Sequence, residues 1–161
     1  MSEEKRGKVW IAVAGLVTDA EGNWLVVKKK YGGLKGKWSL PAGFVNHNET
    51  IDQAIVREIK EESGVMAELE GVIGIRSGVI KEKISDNMII FKLKAPQTEV
   101  MAQEKELFEA AFIHPETLKK DPDASLLLLS FLQKEVQPAF RTYKEFDPGD
   151  QFGYTAYHLF L

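Results

Sequence analysis

The chain of 161 residues contains no cysteine. This excludes a disulfide framework, a thiol nucleophile and a thiolate metal site, and it makes a reducing, cytoplasmic setting the expected one. No apolar run approaches the roughly 18 residues that cross a bilayer, so no membrane partner is expected. The opening Met1-Ser2-Glu3-Glu4-Lys5-Arg6 is charged and is followed by neither an apolar stretch nor a small-residue cleavage site, so no signal peptide is expected. A large excess of one charge is also missing. The net charge of -3 argues against a protein whose main task is to coat nucleic acid, and no nucleic-acid partner is expected. Repeats, low-complexity tracts and Pro- or Ser-rich linkers are absent as well. What remains is ordinary: 44% hydrophobic and 28% charged residues, which excludes a mostly disordered or collagen-like chain. The length suits one domain with a sizeable core.

Val9 to Val17 is a nearly continuous apolar run and predicts a buried strand. Asp19 to Asn23 is a turn signal, and Trp24 to Val27 a second strand, so the two read as a hairpin. A basic, glycine-rich loop from Tyr31 to Lys37 leads to a short extended piece, Trp38 to Pro41. Thr50 followed by Gln53 is a capping-box signature, and Ser63-Gly64 a stop, which bound a helix. Beyond it, Val65 to Ile80, Met88 to Leu93 and Glu109 to Ile113 read as strands, with Lys81 to Asn87 as a charged turn. Pro115 to Lys119 begins a short helix, and Ala124 to Val136 a last one whose four consecutive leucines are read as core. The tail from Pro138 is rich in aromatic residues.

The helix from Ile51 to Ser63 departs from the usual pattern. With Glu58 set at zero and about 100° per residue, Ile51, Ala54, Ile55 and Ile59 fall between about -40° and about 100°. Glu62 falls at about 40° and Glu61 at about -60°, within or beside that apolar face, while Gln53, Val56, Lys60 and Ser63 point away. Grouped acids are ordinarily a solvated surface. Here three carboxylates at i, i+3 and i+4 repel one another, and partial burial raises their pKa values further. A divalent cation offsets both costs, because magnesium takes oxygen ligands and pairs one or two carboxylates with substrate phosphates. Periodicity therefore predicts an oxygen-ligand metal site at one end of a helix, without naming a reaction. Gly43, in the loop before the helix, permits close backbone approach to a ligand.

The same residues carry a family resemblance. Gly43, five residues, Glu49, seven residues, Arg57-Glu58-Ile59, one residue, Glu61-Glu62, one residue and Gly64-Val65 is similar to the complete signature box of the Nudix hydrolases. Trp38 to Val45 resembles the lead-in to that box, Leu25 to Lys29 its second strand, and Glu106 to Ile113 followed by Pro115 to Leu118 its later strand and turn. The resemblance covers about residues 8 to 135 and implies an α+β fold, an α/β/α sandwich with a mixed β-sheet. It implies a domain over residues 1–137 with an aromatic-rich extension, 138–161, packed on it.

The implied activity is hydrolysis of a phosphoanhydride bond in a nucleoside diphosphate linked to another group, with Mg²⁺ or Mn²⁺. Carried over residue by residue, Glu58, Glu61 and Glu62 become metal ligands. Glu49 supports them, through water or as the partner of Arg57, and Gly43 offers its carbonyl or backbone space. Glu106 is the candidate general base on a later loop, with Glu104 as alternate. Arg57, Lys28 and Arg76, with Gly43, are the candidates for contacting substrate, Arg57 more by orienting a carboxylate. Lys29, Lys30, Lys35 and Lys37 are further phosphate candidates, and Trp38, Phe44, Tyr31 or Tyr154 could stack on a base.

Two departures from the pattern matter: Ala42 before Gly43, and Asn46 and Asn48 where glutamate and glycine are frequent. Asn46 bears on how many metal ions are held. Ser77 to Lys83 carries neither the proline of some ADP-ribose-specific members nor the tyrosine of some dinucleoside polyphosphate-specific ones. Nucleoside triphosphates, oxidised ones included, and nucleotide sugars remain as substrates. The alternative is a catalytically silent module that senses a nucleotide. Such members usually lose box carboxylates, and this chain keeps them all. The tail is expected either to close over the site or to build a homodimer contact.

Overall fold

A computed structural model of the chain describes residues 7–134 and 138–161. The apolar run forms β1 (Val9–Thr18), the centre of a mixed sheet. One of its edges carries β6 (Ile84–Lys94) in parallel along its whole length. The other edge is shared antiparallel by β2 (Trp24–Lys29) at one end and β4 (Ala42–Phe44) at the other. β3 (Trp38–Ser39) and β7 (Leu107–Ile113) pair with β2, and β5 (Glu68–Ile80) flanks β6 antiparallel.

Alternation along β1 sorts its side chains into two layers. Val13 and Val17 pack with Ala54, Ile55 and Ile59 of α1 (Ile51–Ser63) on one face. Ala14 and Leu16 pack on the other face with Leu118 of α2 (Pro115–Lys119) and Leu128 and Leu132 of α3 (Leu126–Gln133). Helices cover both faces, the α/β/α arrangement expected. Gly15 is what lets α1 lie close: a Cβ there would come 2.9 Å from the Ile59 side chain. Helix α1 keeps its expected ends. The Thr50 N–H donates to Gln53 Oε1 (3.0 Å), and Gly64 takes the left-handed conformation with its N–H on the Lys60 carbonyl (2.8 Å).

Several boundaries differ. β5 begins at Glu68, and β6 begins at Ile84 and absorbs most of the segment expected as a turn. Only the three residues Lys81 to Lys83 turn the chain, with Lys81 and Glu82 at positive φ (50° and 57°). Cross-strand pairing up to Ile80–Ile84 outweighs the local charge. In α3 the leucine run is not all core: Leu128 and Leu132 are buried, but Leu126 is 84% exposed. The part of this helix expected at residues 135–136, and the domain boundary at 137, lie outside the described residues.

The tail docks far from where an active-site cover would sit. Phe140 exchanges two backbone hydrogen bonds with Val72 of β5 (2.9 and 3.0 Å). This contact demands glycine at position 71, where φ is 147° and a Cβ would overlap the Phe140 carbonyl. β8 (Thr142–Tyr143) pairs with β9 (Leu159–Phe160), and Phe160 meets Phe91 edge to face at 5.8 Å. Between them they clasp Asp52, which is buried in the first turn of α1. His158 Nδ1 is 2.8 Å from Asp52 Oδ1, and Lys144 Nζ is 3.6 Å from Oδ2. Burial alone would raise the Asp52 pKa; the contacts to His158, to Thr50 and to the backbone together outweigh it and hold the carboxyl below its usual value. His158→Ala removes the shorter of the two charged contacts to this buried carboxylate. It should destabilise the fold by about 2 kcal/mol, read as a drop in thermal midpoint; an unchanged midpoint would show the clasp to be passive. Among the described residues no helix is long and apolar enough to cross a membrane.

Candidate active site

The second half of α1 faces the β4 strand across a cleft of about 510 Å³, a volume that suits a small-molecule ligand. Glu58, Glu61, Glu62, Gly43 and Glu106 all line it, together with Lys29, Tyr31 and Gln103. The three helix carboxylates are not equivalent. Glu62 is buried, with its side chain 3% exposed, whereas Glu61, at the edge of the apolar face, is 55% exposed. Glu58 lies between, pressed against Gly43 so closely that a Cβ on residue 43 would overlap its carboxylate.

Each carboxylate is held by a named partner. Arg57 donates from Nε to Glu49 Oε2 (2.8 Å) and from Nη2 to Glu49 Oε1 (2.6 Å), a two-pronged contact. Its Nη1 reaches Glu58 Oε1 (2.7 Å) and Glu61 Oε2 (3.1 Å), and its Nη2 also donates to the Phe44 carbonyl (3.0 Å). Glu62 Oε1 is 3.2 Å from Lys29 Nζ, and its Oε2 accepts the Ala42 N–H at 3.3 Å. Arg57 thus ties helix, Glu49 loop and β4 together behind the cleft, and Lys29 stands at its mouth.

The loop that carries Glu106 is set by the end of the helix. The last carbonyls of a helix have no partner within it. Those of Glu62 and Ser63 accept the N–H groups of Gln103 (3.1 Å) and Met101 (2.8 Å). Gln103 O then accepts from Glu106 (3.3 Å) and Leu107 (3.0 Å), a turn that delivers Glu106 into the cleft beside Tyr31. Glu104 does not line the cleft; its carbonyl is held by Lys30 Nζ.

Two positions read as substrate contacts are not in the cleft. In β2, Leu25, Val27 and Lys29 face the α1 layer, so Lys28 points to the opposite face. There it lies over the Trp38 ring (4.6 Å) and meets Asp123 (3.5 Å). Lys29, one residue on, is the cleft lysine. Arg76 is opposite Met88, whose side chain packs in the α3 layer, and is bound to Asp86 (2.6 Å). Strand alternation separates both from α1. Of the candidate aromatic residues, Tyr31 and Phe44 line the cleft, Trp38 is buried, and Tyr154 packs on Tyr157 at 4.9 Å within the tail. None of residues 138–161 lines the cleft. Gln103 carries no sequence signal; only the capping of α1 brings it in.

The electrostatics follow from burial. Burial pushes Glu62 up to about 7, with Lys29 opposing and Glu58 adding to the rise. Burial also raises Glu58, against the pull of Arg57. Arg57 holds Glu49 below its ordinary range, and the Glu49 contact in turn raises Arg57. Tyr31 is raised by burial and by the neighbouring Glu106.

Glu62 makes a pH prediction. Its folded pKa of about 7 stands above the ordinary 4.5, so the folded state holds a proton that the unfolded state releases in that window. Stability from this group is complete below about pH 4.5 and is lost as pH rises through 7, by on the order of 3 kcal/mol in the limit. In chelator-containing buffer the wild type should therefore lose stability relative to Glu62→Gln between pH 5 and 8. Parallel melting curves for the two proteins would refute the assignment.

A hard divalent ion fits this donor set in a particular sense. Among the described residues no three acidic or histidine side chains are already drawn into a cage. Magnesium does not require one, since one or two carboxylates suffice alongside water and phosphate oxygens. Glu62 is buried against the Ala42 N–H and Glu58 is half-buried against Gly43, and the cations that now partner them, Arg57 and Lys29, show that the cleft demands positive charge.

A family model described as NUDIX domain matches residues 8–132. A stretch of 67 residues is 39% identical to a protein named ADP-ribose pyrophosphatase from Methanocaldococcus jannaschii, covering 42% of this chain and 39% of that one. Another of 68 residues is 43% identical to Nudix hydrolase 8 of Arabidopsis thaliana, covering 41% of this chain and 18% of that one. A crystal structure of a NUDIX hydrolase from Nitrosomonas europaea superimposes with a TM-score of 0.67 at 25% identity, covering 82% of this chain and 76% of that one. The matched stretch spans about two fifths or less of the length of these two curated relatives.

Proposed function

We infer the activity from one premise: this chain belongs to the NUDIX family. The reading it supports is a metal-dependent pyrophosphohydrolase that cleaves a phosphoanhydride bond in a nucleoside diphosphate linked to another group. The observation that carries it is Glu62, a carboxylate buried in the cleft with Glu58 beside it and Gly43 opposite. A stability-driven sequence would not keep such a group, because burial makes its charged form costly. The name of the archaeal relative, ADP-ribose pyrophosphatase, supports the bond type.

Glu58, Glu61, Glu62 and the Gly43 carbonyl are the groups that would hold Mg²⁺ or Mn²⁺. When bound, the ion would neutralise charge on the diphosphate oxygens. Arg57 orients Glu58 while Glu49 holds Arg57 in place. Lys29 is released from Glu62 to contact a phosphate oxygen. Glu106 accepts the proton of the attacking water as its oxygen bonds to phosphorus. The anhydride P–O bond breaks, and the leaving phosphate carries away the electron pair. Tyr31, against Glu106, sets the orientation of that carboxylate. The hydrolase unit runs to residue 137, with 138–161 as an extension packed on it, and the lack of cysteine suits a reducing cytoplasm.

The test is a hydrolysis screen over nucleoside triphosphates, oxidised triphosphates, nucleotide sugars, ADP-ribose and dinucleoside polyphosphates, with Mg²⁺, Mn²⁺ or chelator. Two phosphorylated products from one class, lost on chelation, are expected. Tight nucleotide binding without products under every condition would favour the silent sensing module instead.

A further inference from the structure

A second pocket, of about 480 Å³, opens at the end of the sheet where β1 begins. It lies where the first residues of β1 meet the β5–β6 hairpin. Its walls are Trp10, Ile80 and Ile84, and its rim is Lys8, Lys81 and Lys83. Among the described residues no acidic side chain lines it. No ion pair joins any of the three lysines to a described residue. Asp86, the register partner of Trp10 on β6, is occupied by Arg76 at 2.6 Å. In a chain of net charge -3, three lysines without an ion pair among the described residues, set around one apolar recess, are a local reversal of sign.

The backbone holds this arrangement at a cost. Lys81 and Glu82 are both left-handed, in a turn where glycine or asparagine is the comfortable choice. That turn sets Lys81 and Lys83 on the rim. Trp10 fixes the floor by donating its Nε1–H to the Gly7 carbonyl (3.0 Å) and by meeting Phe44 edge to face at 5.6 Å. Phe44 also lines the cleft of Glu58 and Glu62, so a single aromatic contact links the two pockets.

We propose that this pocket binds a phosphorylated nucleoside, with the apolar walls taking the base and Lys8, Lys81 and Lys83 the phosphate. Flat apolar walls recognise a base of any identity, and ammonium groups recognise phosphate as point charges. The shared chemistry has two sources: the distal half of a substrate lying across both pockets, or a free nucleotide.

The probe is AMP, titrated in chelator against the Glu62→Gln protein, so that binding is read without hydrolysis. Trp24 and Trp38 are buried, which leaves the half-buried Trp10 as the fluorescent reporter. Saturable quenching by AMP is expected, with adenosine and inorganic phosphate each binding more weakly. The K81E/K83E double variant should weaken AMP binding at least about tenfold, the loss of two charge-assisted contacts. No saturable binding, or binding indifferent to the double variant, overturns the proposal. So does a single-stranded RNA that binds far more tightly than AMP, since the pocket would then serve nucleic acid. A second arm separates the sources in the active enzyme. If the ratio of kcat/KM for diadenosine tetraphosphate over ADP-ribose falls about tenfold or more in K81E/K83E, the ligand is the distal half of substrate. AMP binding with an unmoved ratio assigns the pocket to free nucleotide. Because the AMP titration needs no turnover, it stands or falls apart from the hydrolase reading.

Discussion

Glu62→Gln should lower turnover roughly 10³-fold or more without lowering the thermal midpoint at neutral pH. The size follows from what is removed: the most buried carboxylate in the cleft, in a reaction whose developing charge needs a cation held in place. The absence of a stability loss follows from the same burial, and the amide should be the more stable form as pH rises through 7. Glu62 already sits near pKa 7, so the folded protein carries much of it as a neutral acid around neutral pH, and an amide reproduces that state. The Ala42 N–H at 3.3 Å keeps an oxygen acceptor, and Lys29 keeps its bond to the Ala42 carbonyl at 3.2 Å. Steady-state rates and melting curves on the same preparation decide the matter. Activity near wild type would end the metal assignment, and a collapsed midpoint would make Glu62 a structural residue instead.

Gly43→Ala should be the single added methyl most damaging to activity. Its backbone conformation is one any residue adopts, so the effect is steric and not conformational. The added Cβ would occupy the place of the Glu58 carboxylate. Glu58 cannot retreat freely, because Arg57 holds it at 2.7 Å and is itself pinned by Glu49 and by the Phe44 carbonyl. A displacement of about 1 Å at a reacting centre costs on the order of 10²-fold in rate. The loss should fall on kcat, and metal affinity measured by titration calorimetry should weaken with it. Unaltered metal affinity and rate would show that the Gly43–Glu58 contact is a consequence of packing alone. Gly71→Ala is the contrasting control, since its Cβ meets the Phe140 carbonyl of the tail and should loosen the extension without touching the cleft.

Much of this site was written in a single helical turn. The spacing of Glu58 and Glu62 against Ile51, Ile55 and Ile59 placed carboxylates on an apolar face, and that follows from local helix geometry. The apolar run of β1 and the capping of α1 were equally legible, because each depends on neighbours a few residues away. Glu61 shows the limit of that reasoning: at the edge of the face its exposure depends on what stands opposite, and its side chain is left 55% exposed. Asp52 and Ser63 show the converse. Both are buried by segments distant in sequence, the tail at one end of the helix and the 101–103 loop at the other.

Lys28 and Lys29 were indistinguishable as letters. A strand directs adjacent side chains to opposite faces, and which one meets α1 is fixed only when β2 takes its place beside β1 and β7. Arg76 was lost for the same reason. The sequence by itself determined the buried centre strand, the helix and its inward acids, and the family box, since all are patterns of short range. The tertiary structure alone decided which lysine faces the cleft, that Glu106 and not Glu104 reaches it, and that the tail clasps Asp52 instead of covering the site. Each of those depends on strand register or loop closure between residues far apart in the chain, where local preference carries no information.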